Sequence, residues 1–203
     1  MSQILESLNP LFKKNSYIDK IYMEKQFSLR KELPKLFPLG FKIFKCPEYI
    51  FDPILEYYQY RKKLDKDQKE YLLYDNPKFC QWVIDSFQPI FEKEAQLPLE
   101  FSHLYGIKCY KKGEKLLMSR TSIDTHHLSS QIIISQDKEW PFQIWDYNNK
   151  LHTLYINPGE FILYEGAKRS HARLIKYQGN SYDLIYLDYK FKNWEYIEKD
   201  LDK

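Results

Sequence analysis

The feature that most constrains this chain is its second half, where short apolar runs alternate with turn signals from about residue 103 onward. LYGIKCY (104–110) is followed by KKGE, a turn containing glycine, and then by KLLMSR. SSQIIIS (129–135) is an apolar run suited to a buried strand. FQIWDY and KLHTLYI flank Asn148-Asn149, which predicts a two-residue hairpin turn because Asn tolerates positive φ. Pro158-Gly159 predicts a type II turn ahead of FILYEG, and HARLIKY and SYDLIYLDYKF complete the set. About eight short strands with regular turns imply a sandwich or barrel rather than a parallel sheet.

Before residue 100 the apolar residues recur at helical spacing. The clearest helix is predicted over 76–96, with Asp75 or Asn76 as cap and Pro77 in the first turn, where proline is tolerated. Phe79, Trp82, Val83, Phe87, Ile90 and Phe91 form one stripe that should lie on a core, and Pro89 predicts a kink or break. An earlier helix is expected from Pro53 to Leu64. The charged run RKKLDKDQKE reads as a solvated face, and ELPKLFPLGF as a connector. The expected class is therefore α+β with a mainly β core. A helical region over 1–100 packs on a β domain over 101–192, and 193–203 is a tail.

Composition excludes several functions. Lys plus Arg total 31 against 28 for Asp plus Glu, so the net charge of +3 gives no footprint for nucleic acid or an anionic membrane. Cys46, Cys80 and Cys109 are odd in number and far apart, which indicates neither a disulfide framework nor a structural zinc site. No apolar run reaches 18 residues, so no transmembrane segment is expected. The first thirty residues hold Glu6, Asp19 and Glu24, with Arg30 the first arginine, a poor match to a transit peptide. An intracellular protein is expected. No Walker loop, dinucleotide fingerprint, HExxH or nucleophile elbow offers another chemistry.

Two stretches go beyond pattern. YGIKCYKKGEKLL (105–117) and EWPFQIWDYNNKLHTLYINPGEFILYEGAKRSHAR (139–173) resemble prolyl 4-hydroxylase-like members of the 2-oxoglutarate and Fe(II)-dependent oxygenases, over roughly residues 80–190. The resemblance implies a double-stranded β-helix, or jelly roll. It also implies a facial triad in which an H-x-D pair and a distant His hold Fe(II), leaving positions for 2-oxoglutarate and dioxygen. The distal ligand matches His171. The H-x-D pair falls on Ser119, Arg120 and Thr121, so both proximal ligands are replaced by hydroxyls that cannot stand in for an imidazole and a carboxylate. Arg173 remains two residues beyond His171. It is a candidate to bind the co-substrate or to pair with Asp183 or Asp188, whose charge would repel a dicarboxylate if turned inward.

The resulting expectation is a catalytically inactive protein with a vestigial site at Ser119, Thr121, His171 and Arg173. No cofactor is expected, and the chain would act as an accessory subunit among other protein subunits. A mitochondrial respiratory-chain complex such as complex I is the suggested setting. The alternative is an active Fe(II) and 2-oxoglutarate dioxygenase, hydroxylating a protein or small molecule, with a displaced metal set of Asp124, His126 and His171. That set requires the chain to loop back, since five extended residues span about 16 Å. A third reading, a small-molecule binding module using the barrel mouth, stays open.

Overall fold

The computed structural model describes residues 27–64, 70–71 and 76–194. The chain divides into two compact units, residues 1–34 and 35–203. In the first, residues 27–32 are helical, and Lys31 Nζ lies 4.5 Å from the ring centre of Phe27, one turn away. Asp75, the middle of the charged run and the tail beyond Trp194 lie outside the described residues.

Among the described residues of the second unit, ten strands form two antiparallel sheets. The strands are β1 (Phe41–Lys45), β2 (Glu70–Tyr71), β3 (Leu99–Tyr110), β4 (Leu116–Ser119), β5 (Leu128–Gln136), β6 (Phe142–Trp145), β7 (Leu151–Leu154), β8 (Glu160–Tyr164), β9 (His171–Arg173) and β10 (Tyr182–Phe191). The larger sheet runs β1-β8-β5-β10-β3-β2 and the smaller β4-β9-β6-β7. The eight strands from β3 to β10 are those expected from the alternating half of the sequence. β1 was not foreseen: FKIFK follows the two prolines of the connector, yet it pairs with β8 from Phe41↔Tyr164 to Lys45↔Glu160. Among the described residues, the first hundred therefore contribute two strands, β1 and β2, to the larger sheet as well as helices.

Among the described residues of the second unit, two helices precede the strands from β3 onward. Helix α1 (Glu48–Leu64) starts five residues before the expected position and carries Pro53 inside it. Helix α2 (Pro77–Ala95) is capped by Asn76, whose Oδ1 accepts the Phe79 N–H at 3.1 Å, and it runs on through Pro89 without a break. Strand alternation joins α2 to the sheet. Ile162 of β8 faces the inner core with Trp140, Phe142, Tyr164 and Tyr182, whereas Phe161 turns outward. There Phe161 meets Phe87 and Phe91 of α2 with ring centres 5.7 and 5.6 Å apart. Tyr189 of β10 packs edge-on to Phe91 and donates its hydroxyl to Ile84 O at 3.2 Å.

Turn chemistry is met in one place and corrected in another. Gly159 has φ +81° and Glu160 N–H donates to Asn157 O at 2.9 Å, as the Pro158-Gly159 turn requires. The β6–β7 connection is longer than the two-residue hairpin expected, spanning Asp146 to Lys150. Asn149 adopts φ +58°, but Asp146 sets the loop, because its carboxylate accepts the N–H groups of Asn148 and Lys150.

Phe161→Ala should cost about 3–5 kcal/mol of stability, because it opens a cavity where the helix meets the sheet. Chemical denaturation monitored by circular dichroism measures it.

Candidate functional site

The strand pair β4–β9 positions the site. Leu116 lies opposite Arg173 and Ser119 opposite His171, with a register shift between the two pairs. The shift lets Leu116 and Ser119 line the same cavity, although they stand three positions apart. This cavity of about 400 Å³ lies between the two sheets. Phe142, Tyr164, Gln131, His171 and Asp188 form its buried wall, and Lys108, Lys115, Leu117 and Tyr105 its partly exposed rim.

Three of the four residues expected at a vestigial site, Ser119, Thr121 and His171, converge on this cavity. His171 is 8% exposed, and burial lowers its pKa, so it is a neutral imidazole at neutral pH. Its Nδ1 lies 3.0 Å from Arg169 O, and a carbonyl can only accept. Nδ1 therefore carries the proton and Nε2 keeps its lone pair. Thr121 is committed to the backbone: its Oγ1 donates to His126 O at 3.0 Å, and its N–H donates to Gly166 O.

That threonine bond closes the loop from 121 to 126, so the chain does fold back. His126 lines the same cavity as His171, and the 16 Å of an extended chain does not apply. Asp124 does not follow. It is exposed, and its carboxylate accepts from Ser122 Oγ in a local turn. The set Asp124, His126 and His171 is thus not assembled. Among the described residues no group of three or more His, Cys, Asp or Glu is placed to hold a metal ion. A lone imidazole with two neutral hydroxyls does not fit the donor set of a ferrous facial triad.

Arg173 is fully buried and does not pair with Asp183 or Asp188. Its Nη2 donates to Gln131 Oε1 at 2.8 Å and Tyr182 Oη at 3.0 Å, and Nη1 donates to Trp140 O. The guanidinium also lies over the rings of Trp140, Phe142 and Tyr182. Asp183 points the other way, accepting from Tyr58 Oη and Ser181 Oγ, both at 2.6 Å.

Asp188 does turn inward. Its Oδ2 lies 3.4 Å from His126 Nε2, but the contact is not an ion pair. Burial raises the Asp188 pKa to about 7, whereas burial, with smaller contributions from His103 and His127, lowers that of His126 to about 4. An ion pair would shift both groups the opposite way. The contact is a carboxylic acid beside a neutral imidazole, so the expected repulsion of an anion is relieved below about pH 7. His127 is structural. Its Nε2 bonds Ile123 O at 2.6 Å and its Nδ1 accepts the Phe191 N–H at 2.9 Å. The parts not foreseen are the return of His126 and the neighbouring Tyr105, Gln131 and Tyr164. Only the non-strand run TSIDT hinted at a loop.

No protein-family model matches the chain, and no curated protein sequence does. Solved structures do match. A prolyl-4-hydroxylase from Pseudomonas putida superimposes with TM-score 0.56 at 12% identity, over 81% of this chain and 94% of that one. The fold is that of the 2-oxoglutarate/Fe(II) oxygenases. HygX from Streptomyces hygroscopicus, with nickel and 2-oxoglutarate bound, gives TM-score 0.57 at 11% identity over 83% and 87% of the two chains. The epimerase SnoN from nogalamycin biosynthesis gives 0.59 at 7% identity over 81% and 83%. The resemblance read from 105–117 and 139–173 is therefore borne out as a fold. The expectation of no cofactor is overturned by the same neighbours, which include HygX with iron and with nickel plus 2-oxoglutarate. Iron and 2-oxoglutarate are the groups against which this cavity has to be tested.

Asp188 has its pKa raised on folding, from 3.8 to about 7. Its contribution to stability is therefore complete below about pH 4 and is lost as pH rises to about 7. Relative to Asp188→Asn, the wild type should lose stability steadily across that interval and be level above it. Paired urea titrations at several pH values check this.

Proposed function

We propose that this protein has the oxygenase fold without hydroxylase activity, and serves as an accessory, binding component of a protein assembly. The observation that carries the proposal is the β4–β9 register. It sets Ser119 opposite His171 while the Thr121 hydroxyl is spent on His126 O, so the two positions beside the surviving imidazole carry neutral groups, one of them already bonded. Around the same strands Leu117, Met118, Leu174 and Ile175 are exposed, which supports a contact with another protein there. Neither the respiratory chain nor the mitochondrion is part of this reading, because no described residue selects them. No helix among the described residues is long and apolar enough to cross a membrane.

The test is anaerobic reconstitution with Fe(II) and 2-oxoglutarate, followed by metal analysis and measurement of succinate after admission of oxygen. Ser119→His combined with Thr121→Asp restores two imidazoles and a carboxylate. It should hold iron at least about tenfold more tightly than the wild type, since most metal affinity comes from several ligands together. The wild type should form no succinate above the protein-free background. A wild type that holds one iron per chain and turns over 2-oxoglutarate would overturn the proposal. Attention would then pass to His126 and Asp188, which share the cavity with His171.

A further inference from the structure

Strand alternation sends the neighbours of the site residues to the opposite face. Ser119, Thr121 and His171 look into the central cavity, while Arg120 and Ser170 look out. Continuing the β4–β9 register, Arg120 Nε donates to Ser170 Oγ at 3.1 Å. With Met118, Trp145, Asn149 and Arg169 these two residues line a second cleft of about 100 Å³.

Arg169 is held in place on several sides. Its Nη1 donates to Asp146 O at 2.7 Å, and its guanidinium carbon lies 4.2 Å from the ring centre of Tyr147. Its Cγ and Cδ pack against Gly40, where a Cβ would come within 2.7 Å of both. Lys35 and Lys168 lie over the same tyrosine ring at 4.4 and 5.3 Å. The two acids of this neighbourhood are already engaged. Glu165 accepts the N–H groups of Leu36 and Phe37 and the Tyr147 hydroxyl, and Asp146 accepts from Asn148, Lys150 and His152. Among the described residues no carboxylate lies within 4.0 Å of the guanidinium of Arg120 or Arg169. Partial desolvation of its largely exposed side chain, and then the charge of Arg169, lower the pKa of Arg120.

We propose that this outer cleft binds a phosphate-class dianion between Arg120 and Arg169, with Ser170 Oγ as a further partner. Two guanidinium forks suit the several oxygens of a tetrahedral anion, and a dianion neutralises both where a monocarboxylate leaves one charge over. The cleft is large enough for the phosphate group and little more, so the rest of a phosphomonoester would extend into solvent. This site is separate from the central cavity and does not depend on the reading given for it.

The experiment titrates the full chain at low ionic strength with inorganic phosphate, methyl phosphate and acetate. Tryptophan fluorescence, with Trp145→Phe identifying the reporting ring, and the rise in thermal midpoint both follow binding. Saturable binding of inorganic phosphate is expected, weakened about tenfold or more by Arg120→Gln and less by Arg120→Lys, which keeps the charge but not the fork. The Arg120 side chain is exposed, so its variants should unfold at the wild-type midpoint when phosphate is absent. Methyl phosphate binding as well as phosphate assigns the site to an ester, and phosphate alone assigns it to the free ion. Absence of saturation, unchanged affinity in Arg120→Gln, or acetate binding as tightly as phosphate would each overturn the proposal.

Discussion

Much of what this molecule presents to a ligand depends on how β4 lies against β9. The pair is short and contains a register shift, and it sets Leu116 opposite Arg173 and Ser119 opposite His171. Because side chains alternate along each strand, the pairing makes two environments on its two faces. Inward are the hydroxyls of Ser119 and Thr121 and the imidazole of His171. Outward are Arg120, Ser170 and the neighbouring Arg169. A slip of one residue would exchange these sets, so the register within the four-stranded sheet decides more than the packing of a core.

The buried wall of the inner cavity keeps its ionisable groups neutral. His171 and His126 are depressed by burial and Asp188 is raised by it, so the wall below about pH 7 is formed of imidazoles, a carboxylic acid, phenols and an amide. The buried charge nearby belongs to Arg173, which is satisfied by a carbonyl, an amide oxygen and a phenol instead of an acid. Such a wall stabilises a divalent cation poorly, since it lacks the anionic ligand that offsets desolvation of the ion. The outer cleft is the reverse case, because Glu165 and Asp146 are engaged by neighbouring N–H and O–H donors and, among the described residues, neither pairs with the guanidinium of Arg120 or Arg169.

Legibility in the sequence followed the range of the interactions. The alternating runs after residue 103 correspond to β3 through β10, and the capped, striped segment beginning at Asn76 is helix α2, because period and capping are local properties. FKIFK was not readable as a strand, since its place in the sheet comes from pairing with β8 more than a hundred residues away. The Asn-Asn turn was read too short because the Asp146 carboxylate, not the Asn pair, organises the loop. At the site, Ser119, Thr121 and His171 were singled out through a family resemblance, and the fold lines one cavity with all three. Arg173 was legible as a position but not in its partners.

The sequence by itself determined the mainly β class of the fold and the order of the strands from β3 to β10. Those follow from periodicity and turn chemistry, which are local properties of the chain. Only the tertiary structure decided that His126 returns to the cavity, that Asp124 does not, that Asp188 rests beside an imidazole, and that Arg120 meets Arg169 outside. Each of these depends on a loop closed by one hydrogen bond, or on which face of a strand is buried. Both are settled by packing between segments distant in sequence.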